Sequence, residues 1–301
     1  MNNVIAASDL GKQFGSTWAL QHCSARIPTG RVVALVGPNG AGKTTFLRLC
    51  AGLEEPTAGH IEVLGWSPQA QPMLVLPRIG FMAQDRPLYG RFKVKELLEL
   101  GRRLNPRWDG ELAVSRIKRL GIPLDRSAGQ LSGGQRAQVA LTMVLAKKPD
   151  TLLLDEPVAG LDPLARREFL QDLMVAVVEH GLSVVLSSHI ISELERTCDY
   201  LVILGEGQIQ VAGEIEALVE QHRVLVGPRA SSDVEKDPTV IRSSHTERLT
   251  TLLVRMDDRV IGPEWEVHQV GLEDLVLAYL SRPEARSMPR PELVEMGAAQ
   301  A

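Results

Sequence analysis

One octapeptide, Gly37-Pro38-Asn39-Gly40-Ala41-Gly42-Lys43-Thr44, fits the pattern G-x-x-x-x-G-K-[ST] of a phosphate-binding loop. The apolar, β-branched run 31–36 before it is typical of a buried parallel strand, and the run 45–51 after it has the pattern of a helix. Because the motif requires a strand, a Gly-rich turn and a helix in this order, a chance Gly-rich turn is the weaker alternative. The sequence therefore predicts a nucleoside triphosphate site, which alone does not separate kinases, GTPases and ATPases.

The chemistry expected of this loop follows from its residue types. Glycines let backbone N–H groups converge on phosphate oxygens, and the start of the following helix adds partial positive charge. Lys43 is expected to reach the β- and γ-phosphates, and the Thr44 hydroxyl is expected to ligate Mg²⁺. The residues expected to contact the nucleotide here are Gly37, Pro38, Asn39, Gly40, Ala41, Gly42, Lys43, Thr44 and Thr45.

Two adjacent carboxylates end a second predicted strand. The apolar run 151–154 is directly followed by Asp155 and Glu156. An acidic residue at a strand tip beside a phosphate-binding loop holds Mg²⁺, usually through water, and a second carboxylate can orient or deprotonate the attacking water. A strand that merely ends in polar residues does not account for paired acids after an apolar run. We therefore predict that Asp155 holds Mg²⁺ and that Glu156 orients or deprotonates the attacking water.

Three further side chains carry weaker signals. Phe14 precedes the phosphate site and could stack on a purine ring, although a single Phe more often packs in the core. Gln84 follows the predicted strand 79–83 and could contact Mg²⁺ or its water, although it could equally be a solvated loop residue. His189 ends the predicted strand 183–189 and could contact a γ-phosphate, although such a histidine is more often a satisfied loop or core residue. Their residue types alone leave both alternatives open.

A second glycine-rich turn, 131–135, precedes apolar residues that recur with helical period over 136–146. Its serine, Ser132, is a good N-cap, so the turn begins another helix and is a second possible anion site. The alternative is a capped helix with a flexible entry. In either case the sequence predicts a helix start at this turn.

Composition narrows the class of protein. The chain has 301 residues, 44% hydrophobic and 23% charged, as in ordinary globular proteins, and its length allows one large domain or two smaller ones. Its net charge of −4, without a long basic run, gives no indication of nucleic-acid binding. The cysteines lack C-x-x-C spacing, which suits a reducing compartment and argues against a disulfide framework or a zinc site. No run approaches the ~18 apolar residues of a membrane span, and the N-terminus lacks a signal-peptide pattern, so we expect a cytoplasmic protein.

The order of helical and strand patterns predicts the domain organisation. Apolar residues recur with helical spacing in 94–100 and 111–120, which predicts a helical subdomain inserted into an α/β core. Beyond residue 220, strand-like runs and an amphipathic helix are predicted at 224–226, 249–254, 265–267 and 272–280. From about Pro283 onward Pro, Arg and Ala dominate, so a disordered tail is expected over 283–301.

Taken together, these motifs resemble the ATP-binding subunit of an ABC transporter over about residues 4–220. In the family's order they are the aromatic facing adenine (Phe14), Walker A (37–44), the Q-loop (Gln84), the signature (Leu131, Ser132, Gly133, Gly134 and Gln135), Walker B with its catalytic glutamate (151–156), the D-loop (160–162, with Asp162) and the switch histidine (His189). The resemblance implies that Gln84 and His189 each contact the nucleotide site. The overall pattern is similar to bacterial drug-export and ABC-2-type members.

The resemblance carries expectations about fold and site. It implies an α/β fold with a P-loop NTPase core over 4–220, an inserted helical subdomain at about 86–148 and a small C-terminal α+β extension at 221–282. We expect that extension to support packing or dimerisation rather than to sense a ligand. The residues that it implies for the reaction are Lys43, Glu156 and His189 in catalysis, and Thr44, Gln84 and Asp155 for Mg²⁺.

The resemblance also carries expectations about partners. It implies a head-to-tail dimer, either a homodimer or a heterodimer with a second ATPase subunit, that encloses two ATP molecules. Each ATP would meet Walker A, Walker B and the switch histidine of one chain and the signature of the other. An integral-membrane permease is the implied partner, nucleic acid is not, and the subunit would lie on the inner face of the cell membrane. ATP-dependent closure and opening of the dimer would then drive transport, with export as the expected direction.

Some residues depart from the family's pattern. Gln138 and Met143 stand where many members carry Arg, and 158–159 replace the common Thr-Ser, but none of these changes removes a group needed for hydrolysis. Two other classes remain as alternatives. Soluble ABC-type ATPases of DNA repair or translation usually have two ATPase domains, coiled-coil insertions, zinc cysteines or basic arms, which are not seen here. A nucleotide sensor without turnover is disfavoured because Lys43, Asp155, Glu156 and His189 are all intact.

Overall fold

The computed structural model describes residues 3–228, 239–256 and 263–281. Its strands are β1 (Asn3–Phe14), β2 (Thr17–Pro28), β3 (Val32–Val36), β4 (Ala58–Val63), β5 (Ile79–Met82), β6 (Thr151–Leu154), β7 (Ser183–Ser188), β8 (Tyr200–Gly205), β9 (Gln208–Glu214), β10 (His222–Pro228), β11 (Val240–His245), β12 (Leu249–Arg255) and β13 (Glu266–Gln269). Its helices are α1 (Lys43–Cys50), α2 (Pro72–Val75), α3 (Val94–Leu104), α4 (Gly110–Arg119), α5 (Gly133–Ala146), α6 (Pro163–His180), α7 (Ile191–Leu194), α8 (Ile215–Glu220) and α9 (Leu272–Ser281), with short 3₁₀ turns at Leu76–Arg78 and Ala128–Gln130. None of the helices in these ranges is long and apolar enough to cross a membrane.

A six-stranded sheet in the order β5-β6-β7-β3-β8-β9 forms the centre of the fold. Its strands run parallel except β9, which returns antiparallel after a tight turn between Gly205 and Gln208. Every residue of β3, β6, β7 and β8 is buried, because helices and sheets cover both faces of these continuous apolar runs. The arrangement confirms the predicted α/β class, and it brings the carboxyl ends of the parallel strands to one edge.

A second, antiparallel sheet in the order β2-β1-β4 packs on one side of the central sheet. Its inward side chains join those of α1 in a common hydrophobic core that includes Leu10, Ile61 and Phe46. The sequence pattern of 1–30 is typical of short β-like runs that alternate with turns, whereas β1 and β2 form one long hairpin with several register shifts. Those bulges break the strict alternation of apolar and polar residues, which is why the length of both strands was not predicted.

The predicted helical subdomain is present as α3, α4 and α5, which share a small core of their own that includes Leu97, Ile117 and Val139. A buried arginine ties it to the rest of the chain. The Arg116 guanidinium donates to Gln138 Oε1 at 3.0 Å and to Asp172 Oδ2, on α6, also at 3.0 Å. Gln138 stands where many members of the family that the sequence resembles carry Arg. Here α4 supplies the cation at this place instead, because the Arg116 guanidinium contacts the Gln138 side chain.

Beyond α8, a four-stranded antiparallel sheet in the order β11-β12-β10-β13 is followed by α9. The strands predicted near 224–226, 249–254 and 265–267 and the helix at 272–280 are confirmed. Strand β11 was not predicted, because only its first two residues are buried and apolar. The expected disordered tail, 283–301, lies outside the described residues.

One predicted helix is much shorter than expected. The sequence pattern of 190–197 is typical of a helix over the whole segment, but only the single turn α7 forms within it. A turn follows at once, and the backbone N–H groups of Thr197 and Cys198 both donate to the carbonyl of Leu194. The residue that precedes this segment, His189, is therefore held by a short and irregular stretch of chain.

Candidate functional site

The predicted phosphate-binding loop connects β3 to α1, as the motif requires. Gly42 caps α1 with a φ of 103°, a left-handed conformation that side chains rarely adopt. A Cβ on Gly37 would lie 2.2 Å from the carbonyl oxygen of Leu204, so only glycine allows the loop to leave β3 this close to β8. Backbone geometry thus accounts for both glycines independently of any ligand.

Lys43, the first residue of α1, is buried beneath this loop. Its ammonium donates to the carbonyl oxygens of Gly37 at 2.7 Å and Pro38 at 3.2 Å, so the loop itself orients the side chain. The same Nζ atom lies 3.7 Å from Glu156 Oε1, at the end of β6. The phosphate loop and the paired carboxylates predicted from the sequence therefore meet at one point.

Asp155 and Glu156 are both buried, and Ser187, which is not among the residues predicted for the site, links them. The Ser187 hydroxyl donates to Asp155 Oδ1 at 2.9 Å and accepts from the Glu156 backbone N–H at 2.7 Å. Glu156 adopts a φ of 45°, a left-handed conformation that costs about 1–2 kcal/mol for a residue with a Cβ. Leu154 pairs with Leu186 in parallel register, so the next residue of β7, Ser187, lies beside the two carboxylates. The sequence signal that could have identified Ser187 is the pair of small polar residues at 187–188, directly after the apolar run 184–186.

His189 completes the cluster from the end of the neighbouring strand, β7. Its Nδ1 lies 2.9 Å from Glu156 Oε2, while more than half of its side chain, 56%, remains exposed. The structure thus brings Lys43 together with Glu156 and His189, both of which lie more than a hundred residues further along the chain. A buried carboxylate lies between a cation and an imidazole that reaches solvent, which is an arrangement able to hold a water and move its proton.

The oxygen groups expected to hold a metal come from three elements at the same edge of the sheet. Thr44 lies in the first turn of α1, Asp155 follows β6, and Gln84 is exposed two residues beyond β5. The Asp155 backbone N–H donates to the carbonyl of Met82 at 2.8 Å, which holds the ends of β5 and β6 together. The described residues contain no group of three His, Cys, Asp or Glu side chains able to hold a metal ion by themselves.

Residues 131–135 lie elsewhere, at the start of α5. Ser132 Oγ accepts from the Gln135 backbone N–H at 3.2 Å and Gln135 Oε1 accepts from the Ser132 backbone N–H at 3.2 Å, so the predicted N-cap is confirmed as a reciprocal capping box. Ser132 and Gly133 remain exposed, whereas Leu131 is buried in the helical subdomain. None of the hydrogen bonds described for this part of the chain joins 131–135 to the loop 37–45.

The two remaining predicted residues lie at surface positions. Asp162 caps α6 and accepts from the backbone N–H groups of Leu164 at 3.1 Å and Ala165 at 3.0 Å. Phe14 ends β1 with 47% of its surface exposed, which excludes the core-packing alternative. The Lys12 ammonium lies 4.9 Å from the centre of the Phe14 ring. The ammonium thus lies over one face of the Phe14 ring, and the exposed part of the ring is accessible to a planar group in solution.

Comparison with known proteins shows which family this sequence is similar to. The family model for ABC transporters matches residues 20–159, and a second model, described as an AAA domain, matches residues 124–195. The Nod factor export ATP-binding protein I of Rhizobium sp. (strain N33) is 36% identical over 224 residues, which cover 73% of this chain and 73% of that protein. The sulfate/thiosulfate import ATP-binding protein CysA of Vibrio vulnificus (strain CMCP6) is 30% identical over 315 residues, which cover 97% of this chain and 91% of that protein.

Solved structures show the same likeness. The structure of an ATP-binding subunit of an ABC transporter superposes with a TM-score of 0.65 at 27% identity, over 72% of this chain and 92% of that one. The dimeric structure of a bacterial ABC transporter cassette superposes with a TM-score of 0.63 at 25% identity, over 70% of this chain and 98% of that one.

Proposed function

Because the chain belongs to the family of ABC transporter ATP-binding proteins, and is therefore an ATPase, we propose that it drives export through a separate membrane permease. The observation that carries the proposal is the meeting of Lys43, Glu156 and His189 at the edge of the central sheet. The direction of transport is the part of this proposal that goes beyond family membership, since the Rhizobium relative is named an export protein and the Vibrio relative an import protein. The higher identity of the export relative favours export.

The proposed roles follow from the contacts. Lys43 binds the phosphates and offsets the charge that develops on them, and Glu156 accepts a proton from the attacking water. His189 orients Glu156 through its 2.9 Å contact and faces the γ-phosphate from the exposed side. Ser187 holds the Asp155 carboxylate and the Glu156 backbone, so that both carboxylates keep a fixed direction during the reaction.

The donor set at this site suits Mg²⁺, which prefers oxygen ligands and keeps several waters. A hydroxyl from Thr44, a carboxylate from Asp155 and an amide oxygen from Gln84 would hold the ion beside the phosphates. Ser187 occupies only one carboxylate oxygen of Asp155, Oδ1, and so leaves the other for the ion or its water. The metal would supply charge stabilisation for the phosphates.

Replacing Phe14 by Ala is expected to weaken ATP binding by roughly 1–2 kcal/mol, because stacking on a base contributes about that much to affinity. GTP binding should weaken about equally, since stacking depends on the face of the base and not on its edge. Titration with each nucleotide measures both effects. As the control, melting of the same sample should change little, because 47% of Phe14 is exposed. A loss of stability with unchanged nucleotide affinity would contradict the proposed stacking.

The dimer is proposed from the position of the signature. Ser132 and its glycines form an exposed, capped helix start, which favours an anion, yet they lie apart from the phosphate loop of their own chain. A second chain in head-to-tail orientation would bring its Ser132 to the γ-phosphate and complete the site. The dimeric cassette that superposes on this chain supports this arrangement.

The permease is proposed to dock in a groove beside Gln84. This groove, with a volume of about 530 Å³, lies between the core and α5, and its lining includes Arg48, Leu53, Phe81, Arg86, Leu88 and Met143. Arg86 is buried, and its guanidinium donates to the carbonyl of Ala159, in the loop that follows Glu156. Burial, followed by the charge of Arg136, lowers the pKa of Arg86. Movement of the loop that follows Glu156 would therefore be transmitted through Arg86 to a permease helix that is bound in the groove.

Affinity capture from detergent-solubilised membranes tests the proposed permease. The wild-type chain is expected to retain an integral-membrane protein, identified by mass spectrometry, and the purified complex should hydrolyse ATP faster than the subunit alone. Leu53→Glu should abolish capture. Leu53 lines the groove and is 60% exposed in the free subunit, so a docked permease would bury the new carboxylate, which is unfavourable. Leu104→Glu is the matched control, since Leu104 is 70% exposed outside the groove. Equal capture by both variants, or capture of soluble proteins alone, would contradict the proposal.

A further inference from the structure

The segment that carries His189 gains little support from its own hydrogen bonds. Strand β7 ends at Ser188, and α7 is a single turn that lacks a side-chain N-cap. A helix of one turn is unstable by itself, because nucleation fixes several residues for each hydrogen bond formed. The position of His189 therefore depends on what packs against α7.

The helix α9, from the C-terminal extension, packs against α7 and β8. Leu194 of α7 is 1% exposed, and it shares one hydrophobic core with Leu275 and Val276 of α9. The same core contains Leu186 of β7, the strand that leads into His189. Helix α9 thus covers the short turn that follows the histidine, and the extension is continuous with the ATPase core at this place.

A buried pair of hydrogen bonds fixes α9 in this position. His222 Nδ1 donates to the carbonyl of Leu218, on α8, at 2.6 Å, which leaves Nε2 to accept from the Tyr279 hydroxyl, on α9, at 2.9 Å. Burial lowers the pKa of His222 and raises that of Tyr279 to about 12, so both side chains are neutral near pH 7. Helix α9 is therefore tied to the last helix before the extension.

We propose that α9 positions the switch histidine: by covering α7, it holds His189 in contact with Glu156. The C-terminal extension is then a part of the hydrolysis machinery, an inference that rests on the role proposed above for His189. The proposed effect of α9 does not extend to the phosphate loop. Its helix, α1, packs through Phe46 and Leu47 into a separate core on the other face of the central sheet. Loosening α9 should accordingly slow hydrolysis and leave ATP binding intact.

The test compares Leu275→Ala with Leu277→Ala, two equal truncations on α9. Leu275 is fully buried in the core shared with α7, whereas Leu277 is 45% exposed. Leu275→Ala is expected to lower kcat roughly tenfold while the ATP Kd changes less than about twofold, as for lost positioning of one contact group. Leu277→Ala should leave both unchanged. Leu275→Met, which conserves volume, should restore kcat, and Val276→Ala serves as the milder truncation if Leu275→Ala melts too early.

Two measurements separate positioning from general loss of stability. Hydrogen exchange of the amides in 189–196 should rise in Leu275→Ala but not in Leu277→Ala, while exchange in 43–50 stays the same. In single-turnover assays at high enzyme concentration, Leu275→Ala should have no further effect once His189 is already Ala. Unchanged exchange in 189–196, or an equal loss of rate in both backgrounds, would overturn the inference. Wild-type turnover by His189→Ala alone would instead contradict the role proposed for His189.

Discussion

Glu156→Gln is expected to bind ATP normally but to turn it over at least about 10²-fold more slowly than the wild type, because a general base contributes that much. The amide keeps the shape of the carboxylate and can still accept from His189, whose Nδ1 lies 2.9 Å from Oε2. It loses the basicity needed to take a proton from water. ATP should consequently accumulate uncleaved and hold the dimer closed, which size-exclusion chromatography with and without ATP would detect.

The control for this substitution is Glu168→Gln, which removes the same charge from an exposed position on α6. It should hydrolyse ATP at the wild-type rate, so that any loss in Glu156→Gln is specific to the site. Steady-state phosphate release and nucleotide titration on the same samples separate turnover from binding. Near-normal hydrolysis by Glu156→Gln would rule out Glu156 as the base.

The second large expected effect is the recovery of ATP hydrolysis in mixed dimers, which contain one chain of each of two inactive variants. Lys43→Ala removes the phosphate-binding cation, and Ser132→Arg places a bulky cation at the exposed helix start of α5. Each homodimer should be inactive, since both of its sites carry a lesion. In a dimer of one chain of each kind, both lesions fall in the same site if sites are shared between chains, and the other site is intact. Purified mixed dimers should therefore regain up to about half of wild-type hydrolysis if the two sites act independently.

The matched control is a mixed dimer of Lys43→Ala and Glu156→Gln chains. Both residues are proposed to come from the same chain in each site, 3.7 Å apart between Nζ and Oε1, so each site of this dimer keeps one lesion. It should show no recovery. Phosphate release from doubly tagged, doubly purified dimers is the measurement, with the permease added if the isolated subunit is slow. If confirmed mixed dimers of Lys43→Ala and Ser132→Arg stay inactive, the shared site is wrong.

Several features of this protein could be predicted from the sequence because they are local. The phosphate loop needs left-handed and close-packed glycines next to a strand and a helix, and those requirements are met within residues 31–51. The capping box at Ser132 spans only four positions of the chain, 132–135. Buried parallel strands read as continuous apolar runs, so Asp155 and His189 could be recognised as strand ends before their neighbours were known.

Other features depend on register and packing between distant elements. Ser187 touches both carboxylates only because β6 and β7 pair with Leu154 opposite Leu186. The exposure of Phe14 depends on where the β1–β2 hairpin ends, and bulges hide that point from a periodic pattern. Nothing within 272–280 indicates what its apolar face covers, because an amphipathic helix specifies that a face is buried and not its partner.

The C-terminal helix is the clearest case of this division. The sequence shows its helical period. Its place over α7, however, and its hydrogen bond from Tyr279 to His222, 57 positions away, join parts of the chain that are distant in sequence. The sequence by itself determined the motifs, because the glycines of the phosphate loop and the helix caps act within a few residues of one another, and because the paired acids directly follow an apolar run. Tertiary structure alone decided which groups hold them in place, because packing free energy depends on surfaces that meet only after the chain has folded.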